Sequence, residues 1–415
     1  MVIGGGVGGH ALALSLHAAG IGTVELYEQA PELRALGMGI NLLPHAMREL
    51  TELGVAEALS AVGISSKRTS YYTRSGEQIW SEPRGTAAGY RWPQLSLHRK
   101  DLLRIIHAAA VERQACQVHT GHRLVSVGQD GRRAWADFVD EQTGRPLPRK
   151  YADVLIGADG AGSVTRRCLH PNEGPRRWSG ILIFKGLVDH TRHLDGCTTT
   201  LTGSLTGPDA KAFAAYSVSR EHQEAGRSLV SWGAYDRVAE PQPLPDAKWT
   251  FPDNRAEALE RFGSWRFADV DAAGLISATH GVLAVPMTDR DPLPRWSFGR
   301  ITLLGDAAHP MYPTGSNGAS QAIADARVLA RALSTQSDVP SALAAYDAER
   351  RPATSAVVLA NRAGDTDAVC LELAHRHDLA DLSGMSGLVG LSDTYKSLAG
   401  YQLRTLNERP SLATA

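Results

Sequence analysis

Glycines near the start of the chain have the spacing of a loop that holds the pyrophosphate of a dinucleotide. Gly4, Gly6 and Gly9 satisfy the pattern G-x-G-x-x-G between a short apolar stretch and a helical pattern. Such glycines permit a tight turn and let phosphate groups approach the N–H groups at the start of the helix. Glu28 lies 19 residues after Gly9, where a carboxylate can accept hydrogen bonds from ribose hydroxyls. A glycine-rich turn without a ligand is the alternative, and the position of Glu28 disfavours it.

Two later segments also place an acidic residue directly after a buried strand pattern. Asp159 stands in the segment GADGAGSVTR, which ends at Arg166. Taken alone, this segment is better explained as a turn in which Ser163 caps a helix. Asp306 stands in the segment LLGDAAHP, where its carboxylate would suit the hydroxyls of a sugar alcohol. The second segment is therefore the stronger indication of a ligand.

A loop of glycine and proline residues connects Asp306 to the next helical pattern, at residues 316–333. The backbone N–H groups of Asn317 and Gly318 stand where this helix begins. The positive end of a helix dipole stabilises negative charge, so the loop predicts an anion-binding helix N-terminus.

These segments need a scaffold that brings strand ends together, and the first third of the chain has the required pattern. Apolar runs at residues 1–3, 23–28 and 152–158 alternate with helical patterns at 9–19 and 101–113. Such alternation is typical of a parallel sheet covered by helices. The three acidic or glycine-rich motifs each follow a strand of this kind.

The sequence pattern changes from about residue 180, where strand patterns alternate with polar turns. Examples are GILIFKGLV, AFAAYSVSR, RSLVSWGAY and GVLAVPM. They predict an antiparallel or mixed sheet in a second domain, to which residues 64–83 contribute a hairpin. A buried strand pattern returns at 301–309, and residues 340–361 predict one or two helices.

Composition narrows the class of protein. A length of 415 residues suggests two to three domains, and the formal net charge of −1 argues against a protein that coats nucleic acid. The sequence has no apolar run of 18 residues, so no membrane insertion is expected. The four scattered cysteines argue against a zinc ribbon, a redox pair and a disulfide framework, and they favour a reducing cytoplasm.

The three motifs together, in this order, are similar to those of a known family. The resemblance covers nearly the whole chain. This family is the FAD-dependent aromatic hydroxylases, the class A flavoprotein monooxygenases of the para-hydroxybenzoate hydroxylase fold. Within it, the D-G-x-x-S-x-x-R motif around Asp159 serves both FAD and NAD(P)H, and the aspartate of the G-D motif contacts the flavin ribitol. The resemblance implies that FAD is bound by Gly4, Gly6, Gly9, Glu28, Arg99, Asp159, Arg166, Gly305, Asp306, Gly318 and Ala319.

The same resemblance implies where the chemistry takes place. Pro313, Gly315 and Asn317 match the loop beside the isoalloxazine ring and are the residues expected at the catalytic centre. The motif Arg350-Arg351-Pro352, with Tyr346, matches a helix signature near the C-terminus of the family. Segments such as GMGINLLPHAMRELTELGV and PMTDRDPLPRW look like the phenazine-modifying, pyocyanin-forming branch. One departure is the first strand, for which only residues 1–3 precede the glycines.

The implied activity is hydroxylation of an aromatic or heteroaromatic, phenazine-like substrate, with or without decarboxylation. NAD(P)H would reduce FAD, and O2 would form a flavin C4a-hydroperoxide that attacks the ring. Alternatives are N-oxygenation, or hydroxylation of another secondary-metabolite aromatic. A non-catalytic flavin-binding sensor is the alternative from another class. We expect a small aromatic substrate as partner, a possible homodimer, a cytoplasmic location, and no metal or nucleic acid.

Aromatic residues in the second domain are candidates for holding a flat substrate. Phe184, Tyr216 and Trp232 lie in three strand patterns, and Met287 lies in a fourth. Ordinary core packing is the alternative for each of them, because aromatic residues in strands are usually buried.

The expected fold class is α/β, with a Rossmann-like FAD-binding domain, an inserted mixed or antiparallel β-sheet substrate domain, and C-terminal helices. In this division the FAD-binding domain is assembled from three separated segments, and the substrate domain from two. The six expected segments are FAD-binding 1–63, substrate-domain hairpin 64–98, FAD-binding 99–172, substrate domain 173–290, FAD-binding 291–355 and C-terminal helical segment 356–415.

Overall fold

The computed structural model describes residues 1–33, 38–73, 75–191, 195–205, 207–244, 253–364 and 385–412, with backbone only for 385–391. The helices in chain order are α1 Val7–Ala18, α2 Pro44–Glu52, α3 Ala56–Val62, α4 Arg99–Glu112, α5 Val164–Leu169, α6 Arg220–Glu224, α7 Arg255–Phe262, α8 Ala272–Ala278, α9 Gly318–Thr335, α10 Val339–Ala363, α11 Met385–Leu398 and α12 Leu403–Glu408. Short 3-10 turns cover Gly85–Ala88, Gly305–Ala307 and Thr314–Ser316.

The strands form one parallel sheet, one large mixed sheet and three smaller sheets. In chain order they are β1 Val2–Ile3, β2 Glu25–Tyr27, β3 Gly39–Leu42, β4 Ile64–Ser66, β5 Arg68–Tyr72, β6 Gln78–Pro83, β7 Gln94–His98, β8 Gln117–His119, β9 His122–Gln129, β10 Ala134–Asp140, β11 Lys150–Ala152, β12 Leu155–Gly157, β13 Arg176–His190, β14 Thr198–Ser204, β15 Lys211–Ser217, β16 Ser228–Arg237, β17 Gln242–Leu244, β18 Arg266–Phe267, β19 Val270–Asp271, β20 Leu283–Asp289 and β21 Ile301–Leu303.

The parallel sheet has the strand order β21-β12-β1-β2-β8, and each neighbouring pair is parallel. Its first helix, α1, is buried along most of its length, because Ala11, Leu12, Ala13 and Leu14 pack in the main core. Helix α9 packs against α1 in the same core. This order places the ends of β1, β12 and β21 side by side, and the three sequence motifs follow those ends.

The large sheet has the order β17-β13-β16-β15-β14-β5-β6, with β20 also paired to β13. Its pairs are antiparallel except β14 with β5, which is parallel. Helices α7 and α8 cover one face and share a core with it. The other face turns toward the parallel sheet.

The predicted fold class is confirmed, while the six-segment domain division stays a prediction.

The chain after the parallel sheet is helical. Helix α10 is a single helix that continues through Pro352, although proline removes one backbone donor from the helix. Tyr395, Tyr401 and Leu406 then pack against Leu43 from the start of α2. The C-terminal helices therefore close over the N-terminal half of the molecule.

The helices and the cysteines of the described residues indicate what kind of protein this is. None of the helices in that part of the chain is both long enough and apolar enough to cross a membrane. Cys116, Cys168 and Cys197 are free thiols there, whereas Cys370 lies outside the described residues.

Candidate active site

A cavity of about 530 Å³ lies between the parallel sheet and the large sheet. At one end it is lined by residues that follow β1, β12 and β21, among them Gly6, Ala158 and Asp306. Ligands of open parallel sheets bind at the carboxyl ends of the strands, which is where these residues stand. The other end of the cavity meets the large sheet through residues such as Tyr216 and Gly233.

The first glycine-rich loop has a geometry that only glycine fits. Gly4 has a φ of +108°, and a Cβ there would stand 2.3 Å from the carbonyl oxygen of Ala158. A Cβ on Gly9 would stand 2.1 Å from the carbonyl oxygen of Gly4. Gly6 opens onto free space and precedes α1 without a side-chain cap. The N–H groups at the start of α1 are thus available to a phosphate group.

Glu28 lies beside this loop. One carboxylate oxygen accepts a hydrogen bond from the N–H of Gly5 at 2.7 Å, and the other accepts from the N–H of Ala30 at 2.8 Å. Each carboxylate oxygen has two lone pairs, so these bonds leave acceptor capacity for ribose hydroxyls. The backbone bonds fix the orientation of the carboxylate before any ligand arrives.

The carboxylate of Asp159 forms hydrogen bonds with other residues of the protein. Its carboxylate accepts from the hydroxyl of Ser163 at 2.5 Å, and from the N–H and hydroxyl of Thr165 at 3.0 and 3.1 Å. Burial raises the pKa of Asp159, and the bonds from Ser163 and Thr165 oppose that shift. Asp159 therefore holds the start of α5, while its neighbours Ala158 and Gly160 line the cavity.

Arg166 corrects an expectation, because it does not face the cavity. Its side chain is 2% exposed and forms a paired contact with Glu173 at 2.6 and 2.7 Å. It also donates to the carbonyl oxygens of Ala307 at 3.0 Å and Ala308 at 2.7 Å. Arg166 thus supports the turn that carries Asp306 and has no direct access to a cofactor in that cavity.

The G-D turn presents Asp306 to the cavity. Gly305 has a φ of +61°, which favours glycine, and the side chain of Asp306 is exposed. Arg99, the first residue of α4, and Ala319 also line the cavity. Six of the expected FAD residues therefore line one cavity, whereas five are not among its lining residues: Gly4, Gly9, Glu28, Asp159 and Arg166.

A buried carboxylate that none of the sequence motifs includes holds this turn from behind. Asp325 accepts from the N–H of Gly305 at 3.1 Å, from Nε2 of His309 at 2.6 Å and from Nε of Arg350 at 2.6 Å. Burial by itself raises the pKa of Asp325, but His309 and Arg350 lower it to about 2. The one available signal was the C-terminal helix signature, which includes Arg350.

The loop before α9 forms the wall between the two ends of the cavity. Pro313, Gly315, Asn317 and Gly318 all line it, and Gly315 has a φ of +70°. Asn317 is buried, and its amide donates to the hydroxyl of Tyr395 at 3.1 Å. Tyr395 belongs to α11 and was missed, because its contact is 78 residues away in sequence.

Cross-strand register arranges the cavity face of the large sheet in rows. The middle row runs through Lys185, Gly233, Ala214 and Leu201 on four neighbouring strands. All four residues line the cavity. Gly233 and Ala214 are small, and the ring of Tyr235 lies over Gly233, with Cε2 and the hydroxyl oxygen each 3.4 Å from where a Cβ of Gly233 would stand.

Tyrosines stand on either side of the middle row. Tyr216 is paired with Ser231 in one flanking row, and Tyr235 is paired with Ala212 in the other. Burial raises the pKa of both phenols, although a hydrogen bond from Ser231 partly opposes the shift of Tyr216. Both are therefore neutral near pH 7 and can donate a hydrogen bond to a bound molecule.

Phe184 and Trp232 were expected to hold a substrate; Phe184 does not line the cavity, whereas Trp232 is among its lining residues although its side chain belongs to the core cluster. Phe184 is fully buried and packs on Phe262 with ring centres 6.2 Å apart. The indole of Trp232 stacks on Phe213 at 5.7 Å and donates to the hydroxyl of Thr279 at 2.9 Å. Both side chains point to the helix-covered face, since successive strand residues alternate between faces.

Met287 is also displaced from its expected place. It packs with Ile181, Ile183 and Tyr312 and lines a second, adjoining cavity. The two cavities share Tyr312, Leu205 and Thr314 as a common wall. Within the described residues, no group of three or more His, Cys, Asp or Glu side chains is placed to hold a metal ion.

Comparison with known proteins agrees with this geometry. Residues 1–361 match the family model described as "FAD binding domain". Phenazine 1,6-dicarboxylic acid hydroxylase PhzS of Lysobacter antibioticus is 37% identical over 399 residues, covering 96% of each chain. Salicylate hydroxylase of Pseudomonas putida is 32% identical over 377 residues, covering 85% of this chain and 81% of the relative.

Solved structures show the same fold. A variant of Klebsiella pneumoniae HpxO complexed with FAD superposes with a TM-score of 0.74 at 25% identity, covering 95% of this chain and 98% of the other. A salicylate hydroxylase substrate complex gives a TM-score of 0.73 over 99% of this chain. The predictions of an enzyme and of FAD as cofactor are confirmed, and the sensor alternative is set aside. The chain belongs to the FAD binding domain family and is an FAD-dependent aromatic monooxygenase.

Proposed function

We propose that this enzyme hydroxylates a flat heteroaromatic ring of the phenazine class, with NAD(P)H as the reductant. The observation that carries the proposal is the cavity face of the large sheet, where the small residue Ala214 and the ring of Tyr235 line the same cavity as the Pro313 loop. A fused ring system needs a flat surface of this kind. The 37% identical relative is named as a phenazine dicarboxylic acid hydroxylase, which supports the same substrate class.

The residues present fit FAD, which supplies oxygen activation and electron transfer when bound. Gly4 and Gly9 lie so close to neighbouring backbone that a Cβ would clash, and Gly6 leaves open space in front of α1. The N–H groups of α1 would hold the pyrophosphate, and Glu28 the ribose. Asp306 would bind the ribitol hydroxyls, and the N–H groups at Gly318 and Ala319 would face the flavin ring.

The chain's own side chains would bind, orient and exclude water. Tyr216 and Tyr235 can donate hydrogen bonds to polar atoms on the edge of a ring lying between them. Pro313 and the apolar side chain of Leu201 would keep water from the reacting carbon. The N–H groups at the start of α9 would stabilise negative charge on the reduced cofactor.

The test is oxidation of NADH and NADPH by the purified holoenzyme in the presence of a panel of phenazines and hydroxybenzoates. A phenazine should accelerate oxidation, and the product should carry one oxygen atom from 18O-labelled O2. Product mass separates simple hydroxylation from hydroxylation with loss of carboxylate, and fragmentation separates carbon hydroxylation from N-oxygenation. Acceleration by hydroxybenzoates alone would refute the phenazine class.

We also propose a cytoplasmic location, as the scattered free thiols suggest. A homodimer is proposed only as an assembly state. Size-exclusion chromatography with light scattering measures the assembly directly.

A further inference from the structure

A lysine side chain stands at the edge of the cavity where the middle row begins. Lys185 lies in β13, with Gly233 as its cross-strand partner in β16, and Ala214 follows on β15. Neighbouring strands are about 4.8 Å apart, so Ala214 lies roughly 10 Å from Lys185 across the sheet. A fused ring packed in the cavity against Ala214 and Tyr235 would thus have one edge near the lysine.

The ammonium group of Lys185 has no counter-ion in the part of the chain that the structure describes. Among the described residues, no hydrogen bond or ion pair is made by its side chain, and the charged group that acts on it is Arg99, another cation. Burial lowers the pKa of Lys185, and Arg99 lowers it further. An anion bound nearby would oppose both effects.

Two other cations near this sheet, Arg84 and Lys211, are already paired. Arg84, which also lines the cavity, contacts Glu82 at 2.6 Å and donates to the hydroxyl of Thr69 at 3.0 Å. Lys211 lies outside the cavity lining, where it pairs with Asp236 at 3.5 Å and stands over the ring of Phe262. Lys185 is therefore distinguished from both by a free charge that faces the substrate space.

We propose that Lys185 binds the carboxylate of an aromatic acid substrate and so selects for a negatively charged ring. This inference rests on the proposed function and adds the substrate's charge to it. A buried cation without a partner lowers stability, and a carboxylate that arrives with the substrate recovers the lost interaction. The same ring carrying a neutral amide would gain much less.

The experiment compares phenazine-1-carboxylate with phenazine-1-carboxamide on the holoenzyme, using quenching of flavin fluorescence to measure Kd. In Lys185→Met, the Kd of the carboxylate should rise about 10-fold to 100-fold, the range for a hydrogen bond to a charged group. The Kd of the carboxamide should change less than about threefold. Lys185→Arg should keep the preference for the carboxylate. Lys211→Met is the matched control, since it removes the same charge from the opposite face of the sheet, and it should leave both Kd values unchanged.

Folding and cofactor binding provide separate measurements. The melting temperature of substrate-free Lys185→Met should equal or exceed that of the wild type, because an unpaired, partly buried charge is removed. Its affinity for FAD should not change. Equal losses for the carboxylate and the carboxamide, or a loss of FAD affinity instead, would overturn the role of Lys185 while leaving the proposed function intact. A wild-type enzyme that binds neither phenazine would overturn both.

Discussion

At the scale of single residues, Asp306 is the exposed carboxylate that we propose binds the cofactor. It faces the cavity from a turn that Asp325 holds in place through the N–H of Gly305. Asp306→Ala should weaken FAD binding by about 1–3 kcal/mol, the scale of hydrogen bonds to a charged group. Titration of the apoenzyme with FAD measures this. Asp130→Ala, in an exposed turn, is the control of equal charge, and an unchanged FAD affinity in Asp306→Ala would remove Asp306 from this role.

Trp232 and Tyr216 lie on adjacent strands but face opposite sides of the sheet. Trp232→Ala should destabilise the fold by about 3–5 kcal/mol, because it empties the core beside α8. The enzyme that remains folded should convert NAD(P)H to product with normal coupling. Tyr216→Phe should have the reverse profile, with little loss of stability and poorer coupling, since it removes only a hydroxyl at the cavity. Melting temperature and the ratio of product to NAD(P)H consumed test the pair together. Poor coupling in Trp232→Ala would contradict its placement in the core.

At the scale of elements, α5 and the G-D turn act as one unit through Arg166. Arg166→Ala leaves Glu173 without its closest partner and frees two carbonyl groups next to Asp306. Breaking a buried pair in this way costs about 3–5 kcal/mol. Stability and FAD affinity should both fall, although Arg166 does not line the cavity.

The rate of flavin reduction separates this structural role from direct handling of NAD(P)H. Molecules of Arg166→Ala that retain FAD should be reduced by NAD(P)H at the wild-type rate in stopped-flow measurements. Glu173→Gln should reproduce a smaller part of the stability loss. A specific slowing of reduction, with FAD affinity preserved, would show instead that Arg166 acts on the reductant.

At the scale of the whole molecule, His45 lies at the contact between the N-terminal half and the C-terminal helices. It is buried at α2, stacks on Tyr401 with ring centres 5.2 Å apart, and its ring nitrogens have no partner among the described residues. Burial, followed by Arg409 and Arg350, lowers the pKa of His45 to about 3. The folded structure therefore requires the imidazole of His45 to be neutral.

The free energy of unfolding should consequently depend on pH in acid. The unfolded chain binds a proton at His45 below about pH 6.5, whereas the folded chain does so only near pH 3, so stability is complete above pH 6.5 and falls below it. Between pH 6.5 and 5 this one group should remove about 2 kcal/mol. His45→Phe keeps the stacking and should flatten the profile by that amount in urea unfolding at pH 7.5 and 5. The surface variant His17→Gln should behave as the wild type, and equal slopes for His45→Phe and the wild type would contradict the assignment.

The sequence alone determined the nucleotide-binding half of the molecule and the class of enzyme. Gly4, Gly9 and Glu28 could be assigned because their roles depend on spacing within one strand-turn-helix-strand segment. The same holds for Asp306, which follows its own strand directly. Local geometry sets these positions, so a sequence pattern is enough to find them.

Which side chains face the substrate end of the cavity was decided only by the tertiary structure. Alternation along β16 predicts that Trp232 and Gly233 face opposite sides, but not which side meets α7 and α8. That choice depends on packing between segments far apart in the chain, and it moved Phe184 and Trp232 into the core. It also depends on cross-strand register, which placed Lys185 level with Gly233 at the cavity. Long-range pairing of this kind leaves no local signal in the sequence, because its physical cause is the burial of surfaces that meet only after the chain has folded.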